Sequence, residues 1–183
     1  MAPLVNLDHE LVEATQAVEH PLLTAVFVVL SAWWVKGPLL VGLALWSDLW
    51  RRRLPLAFAA AAAATGAASL VAHLLKQAFD RDRPPVADPD VGSLVAIPGN
   101  PSFPSGHSAT AFAAATAVAI LCPRMRPWAL AIAAAVALSR VYLRVHFPLD
   151  VLVGAALGAG IGALCALAVV RLMRTAAPPA APA

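Results

Sequence analysis

The sequence predicts an all-α membrane protein, a six-helix transmembrane bundle preceded by a short N-terminal interfacial helix. Three observations lead there. Of 183 residues, 61% are hydrophobic and only 13% charged, a balance outside that of ordinary water-soluble domains. The apolar residues gather into runs, several of them near the roughly 20 residues that a helix needs to cross a bilayer. Charged and proline-rich segments separate those runs.

The opening stretch MAPLVNLDHELVEATQAVEH is acidic and amphipathic. A cleaved signal peptide would show a basic start and a long apolar core, so this segment is expected to lie on the membrane surface. Two short apolar stretches, 22–35 and 38–46, are separated by Lys36 and Gly37 and form the first pair of helices. Four longer runs follow at 54–75, 105–122, 128–143 and 148–170. The last carries Gly154, Gly158 and Gly162 at four-residue intervals, a pattern that lets helices approach closely in lipid. It suits packing within the bundle better than a homodimer face, the alternative use. One membrane domain over 1–174 is expected, without internal repeats, followed by the tail TAAPPAAPA at 175–183, too poor in large apolar side chains to fold. Cys122 and Cys165 have no metal-ligand spacing and suggest neither a disulfide framework nor a zinc site.

Charge placement orients the bundle. In a six-helix count Arg51, Arg52, Arg53, Arg124, Arg126, Arg171 and Arg174 fall on one side, which the positive-inside rule makes cytoplasmic. Lys36, Lys76, Arg81, Arg83, Arg140 and Arg144 fall on the outer side. With them lie three polar segments: KQAFDRDRPP (76–85), PSFPSGHS (101–108) and SRVYLRVHFPLD (139–150). Ionisable groups at membrane depth are costly and mark a functional interior. The arginine run is a topology signal, too short for a nucleic-acid patch, and no nucleic-acid partner is expected.

Each polar segment has its own chemistry. Pro104 stops any preceding helix, Ser105 is a good N-cap, and Gly106 lets a ligand approach the free N–H groups of the helix that follows. His107 stands in that first turn, able to exchange a proton near neutral pH. Asp150, four residues after His146, can fix the imidazole tautomer and leave the other nitrogen free as base or nucleophile. Lys76, Arg83 and Arg140 supply three cations, and the arginine fork suits phosphate oxygens. Together these groups make a plausible site for phosphoryl transfer.

Lys76-x6-Arg83-Pro84, Pro104-Ser105-Gly106-His107 and Ser139-Arg140-x5-His146-x3-Asp150 resemble the three signature motifs of the type 2 phosphatidic acid phosphatase superfamily, the lipid phosphatases related to vanadium haloperoxidases. All defining positions are present and in order. The resemblance implies that His146 attacks phosphorus to form a phosphohistidine, that Asp150 orients it, and that His107 protonates the leaving oxygen and later activates water. It implies that Lys76, Arg83, Arg140, Ser105 and the Gly106 N–H hold the phosphate oxygens. Neither metal nor cofactor is expected, and the sequence offers no carboxylate cluster for a metal.

Other polar residues receive plainer readings. His9 and His20 are taken as hydrogen-bonded structural residues, and His73 as structural in preference to cavity-lining. Asp80, Arg81 and Asp82 are read as a solvated ion-pair cluster, Arg144 is left outside the site, and the proline-rich loop 80–104 is read as a lid. The expected partners are the bilayer and a membrane lipid phosphate entering sideways. A polyprenyl diphosphate leads, with phosphatidic acid, phosphatidylglycerol phosphate and phosphorylated polyprenyl sugars as alternatives. The expected location is a bacterial cell membrane, crossed several times, with the site on the extracytoplasmic side. A haloperoxidase would be soluble and much larger, and a non-catalytic transporter or scaffold would leave three intact motifs without a purpose.

Overall fold

The computed structural model describes residues 2–51 and 55–175. Among them eight helices form: α1 (Ala2–Glu13), α2 (Pro21–Leu30), α3 (Pro38–Trp50), α4 (Leu56–Ala78), α5 (Pro84–Ala87), α6 (Gly106–Leu121), α7 (Arg126–Tyr142) and α8 (Pro148–Thr175). Proline stands in the first turn of α2, α3, α5 and α7 and opens α8, where its missing N–H costs nothing and its fixed φ suits the helix. Arg52, Arg53 and the tail beyond Thr175 lie outside the described residues.

Each of the six apolar stretches contains a helix, and α1 falls within the opening amphipathic segment. Among the described residues, only α4, with 23 residues, and α8, with 28, are long and apolar enough to cross a bilayer alone. The first apolar stretch was expected to stay helical through Val35, yet α2 stops at Leu30. Residues 31–37 instead form turns that carry the Ser31 carbonyl to within 3.1 Å of His107 Nε2. Trp33, Trp34 and Val35 are apolar but bulky, and composition alone does not mark that break. The loop 80–104 also holds the short α5, which was not expected.

α6 is the hub. It contacts α3, α4, α7 and α8, and its residues Ser108 to Ala111, Ala113 to Ala115 and Ala117 to Ala119 are all buried. A helix apolar on all sides belongs in a core. Its neighbours present stripes of small residues. On α4 the buried set is Ala57, Ala60, Ala61, Ala64, Ala68 and Ala72, and the stripe ends in Lys76. On α7, Ala129, Ala133, Val136 and Ala137 lead to Arg140. On α8, Ala166, Gly162, Gly158 and Gly154 lead back to Asp150. Spacings of three and four keep each set on one helix face, so three polar residues arrive at the same end of the bundle.

The glycine stripe of α8 is filled by α6. A Cβ at Gly154 would lie 2.5 Å from the Ser105 carbonyl oxygen, and Cβ atoms at Gly158 and Gly162 would strike the carbonyls of Ala109 and Ala113. Only glycine admits so close a backbone approach. At the opposite end Trp46, Trp50, Arg51, Arg124 and Met125 line one cavity, so Arg51 and Arg124 share an end, away from Lys76 and Asp150.

Candidate active site

Two tight joints bring the three polar segments together. The Ser105 N–H donates to the Asp150 carbonyl at 2.9 Å, tying the start of α6 to the start of α8. Lys76 Nζ donates to the carbonyls of Pro101 and of Ser102, the latter at 3.1 Å, fastening the 80–104 loop onto α4. Arg83 ties the two ends of the loop to each other, with Nε 2.9 Å from the Asn100 carbonyl and Nη2 2.7 Å from Asn100 Oδ1.

His146 sits at the centre, 2% exposed, in the turn between α7 and α8. Arg83 Nη1 lies 3.3 Å from its Nε2 and also donates to the Val145 carbonyl at 2.6 Å. Arginine carries donors only, so Nε2 must offer its lone pair. On the other side of the ring, Ser102 Oγ lies 3.2 Å from Nδ1 and donates to Asp150 Oδ2 at 2.5 Å. The Ser102 hydroxyl therefore accepts from Nδ1–H, and both contacts specify the same tautomer: proton on Nδ1, lone pair on Nε2. The Asp150 carboxylate is 3.5 Å from Nδ1, an ion-pair separation more than a good hydrogen bond. It acts on the ring chiefly through Ser102, and it also accepts the Phe147 N–H at 3.0 Å.

Burial pulls the His146 pKa from 6.5 to about 4, against the opposing pull of the Asp150 contact. The ring is thus neutral, with its Nε2 lone pair available, at every pH above about 4, and charges only below it. In an NMR titration of histidine-labelled protein, with the resonance identified by its loss in His146→Ala, the midpoint is expected near pH 4. A midpoint near the unperturbed 6.5 would contradict this environment.

The remaining signature residues lie at the same end of the bundle. Arg140 is 4% exposed and makes no side-chain hydrogen bond among the described residues, and its Nε is buried without a partner. A buried guanidinium left this way has unspent donors for an anion. Arg140, Lys36 and His146 all lie near enough to His107 to act on it electrostatically. His107 Nε2 faces the Ser31 carbonyl, an acceptor only, so Nε2 carries the ring proton. Ser105 caps α6, its Oγ accepting the Ser108 N–H at 3.4 Å, and its hydroxyl is directed at its own helix. At Gly106 a Cβ would meet nothing within 4 Å, so no neighbouring atom crowds the first residue of α6 on that side.

Several residues enter that the motifs did not supply. Ser102 and Asn100 hold His146 and Arg83 as described. Lys36 reaches the electrostatic field of Arg140 and His107 from the α2–α3 turn. The reading of Arg81 as a solvated surface ion pair is corrected: its Nη1 lies 2.6 Å from Asp150 Oδ1 and its Nη2 2.7 Å from Asp8 Oδ2. Its partners lie 69 and 73 residues away in sequence, beyond any local pattern. Arg144 turns away to pair with Glu19 and donates to the Val91 carbonyl at 2.9 Å. His73 is exposed, and its only side-chain hydrogen bond among the described residues is with Gln77, at 3.3 Å. His20 caps α2, its Nδ1 accepting the Leu22 N–H at 3.3 Å, which bears out its structural reading.

Fold and cluster together define a class: a helical membrane protein that gathers two histidines, an aspartate and several cations at one end of its bundle. Residues 55–174 match the PAP2 superfamily, and the chain belongs to that family. It is 40% identical over 105 residues to the decaprenylphosphoryl-5-phosphoribose phosphatase of Mycobacterium tuberculosis, covering 54% of this chain and 56% of that protein. It is also 40% identical over 106 residues to the lipid A 1-phosphatase of Rhizobium johnstonii, covering 56% of this chain and 43% of that one. The chain thus spans about half the length of the curated relatives it matches. Among solved structures it resembles the transmembrane PAP2-type phosphatidylglycerolphosphate phosphatase from Bacillus subtilis, with a TM-score of 0.72 and 26% identity over 98% of this chain and 90% of that one. Aquifex aeolicus LpxE gives a TM-score of 0.67 and 30% identity over 85% of this chain and 92% of that one.

Proposed function

We propose that this protein is a lipid phosphatase that removes a phosphate group through a phosphohistidine on His146. One observation carries the reading: the buried His146 is held as the tautomer whose Nε2 lone pair faces Arg83, with Nδ1–H engaged by Ser102 and Asp150. In the first step that lone pair attacks phosphorus, the bond from phosphorus to the lipid oxygen breaks, and the oxygen takes the Nδ1 proton of a doubly protonated His107, whose Nε2–H stays on the Ser31 carbonyl. In the second, water attacks the phosphorus while His107 takes a proton back, and the bond to nitrogen breaks to release inorganic phosphate. Arg140, Arg83, Lys76, Lys36 and the open N–H groups at Gly106 stabilise the equatorial oxygens, and Ser105 fixes the start of that helix. These cations supply the charge that a metal would otherwise provide.

The favoured substrate is a polyprenyl lipid phosphate. The expectation of a polyprenyl diphosphate now shares first place with a phosphorylated polyprenyl sugar, supported by the 40% identity to an enzyme named for such a substrate. Lipid A-like and glycerolipid phosphates follow. We place residues 1–174 in one membrane domain that crosses the cell membrane several times. The arginine-rich end lies inside and the site outside.

The test is phosphate release by the detergent-purified protein in EDTA from a panel of polyprenyl diphosphate, polyprenyl phosphosugar, lipid A, phosphatidylglycerol phosphate and a soluble phosphomonoester. Release from a polyprenyl lipid that persists in EDTA is expected. Loss of all release in EDTA, restored by a divalent cation, would contradict the mechanism, and preference for the soluble ester would contradict the substrate class.

A further inference from the structure

Outside the three motifs, one network reaches the centre of the site from the N-terminal helix. Asp8 of α1 is 4% exposed. Its Oδ1 accepts the Leu149 N–H in the first turn of α8 at 3.0 Å, and its Oδ2 takes Arg81 Nη2 at 2.7 Å. The other arm of Arg81 reaches Asp150 Oδ1 at 2.6 Å, and Asp150 Oδ2 holds Ser102, which holds His146 Nδ1. The guanidinium also lies 4.3 Å over the Phe147 ring, against which His9 of α1 packs with ring centroids 4.7 Å apart.

Asp150 is fully buried. A carboxylate in that position stays ionised only when paired and hydrogen-bonded, and Arg81 is the guanidinium that pairs with it at contact distance. Arg81 itself is 23% exposed along its side chain, free to swing toward water unless its second arm is anchored. Asp8 provides the anchor, and it satisfies an N–H of α8 that would otherwise be orphaned.

We propose that Asp8 and Arg81 are positioning residues for the nucleophile, and that α1 is thereby a working part of the catalytic centre as well as a membrane-surface helix. Resting on the phosphatase reading above, the inference extends the chain that orients His146 by two links: Ser102, Asp150, Arg81, Asp8. Partners of this second-rank kind typically change activity by about 10-fold to 100-fold.

The experiment compares wild type with Asp8→Asn, Asp8→Ala, Arg81→Ala, Arg81→Lys and Asp8→Ala/Arg81→Ala, using the best lipid from the panel. Glu10→Gln, exposed on the same helix, is the control. Arg81→Ala is expected to lower kcat about 10-fold to 100-fold and Asp8→Ala about 10-fold, each with KM within about two-fold of wild type. Arg81→Lys recovers part of the loss, keeping one arm of two. The double variant is no slower than Arg81→Ala, because the two residues act as one unit. Kinetics of both single variants within about two-fold of wild type would overturn the proposal. So would losses that multiply in the double variant, or losses that appear in KM or thermal stability with kcat unchanged. An inactive wild type would instead count against the phosphatase reading itself.

Discussion

If His146 is the covalent nucleophile proposed above, His146→Ala is expected to lose phosphate release by about 10⁴-fold or more on every lipid tested, since both steps of the reaction go with it. The size follows from the geometry. Arg83, Ser102 and Asp150 all act on this one ring, and without it they orient no attacking atom. His73→Ala, at an exposed residue hydrogen-bonded among the described residues only to Gln77, is expected to behave as wild type. Equal losses in the two variants would point to a general effect on folding, and full activity in His146→Ala would end the phosphohistidine reading.

The second large effect concerns packing. A Cβ at Gly158 would lie 2.9 Å from the Ala109 carbonyl carbon and 3.0 Å from its Cα, closer still to its oxygen. These are backbone atoms of the central helix, which cannot rotate aside as a side chain would. Gly158→Val must push α8 away from α6, separating the two helix starts that the Ser105–Asp150 bond joins. A cost of about 3 kcal/mol or more is expected, a fall in Tm of about 10 °C for a chain of this size, with activity falling too. Gly160→Ala, where a Cβ meets nothing within 4 Å, is expected to leave stability unchanged or raise it by up to about 1 kcal/mol, since alanine is the better helix former. Wild-type melting of Gly158→Val in detergent would contradict the close α6–α8 contact.

The sequence makes the long elements legible because their information is local. Apolar run lengths announce α4 and α8, and the glycines at 154, 158 and 162 announce a close helix contact without naming its partner. The signature positions are legible for the same reason: each sits in a short motif with fixed spacing, and the structure brings them to one end of the bundle. What stays hidden is what forms across distance. The end of α2 at Leu30 depends on a turn whose Ser31 carbonyl meets His107, 76 residues on. Asp8 looks like one more surface acid on an amphipathic segment until folding sets it beside Leu149, 141 residues away. Arg81 lies between two aspartates in sequence, which suggests a solvated cluster, yet its partners are two other aspartates.

A covalent intermediate tests the account most directly. The lipid preferred in the panel, labelled with ³²P at its terminal phosphate, is mixed with the protein and quenched in base within one turnover, and the protein is digested for peptide mapping. The account predicts label on the peptide that contains His146, stable in base and lost in acid as a phosphorus–nitrogen bond requires, and absent from His146→Ala. Steady phosphate release with no label on the protein at any quench time would mean that water attacks the lipid phosphate directly, contradicting the role given to His146.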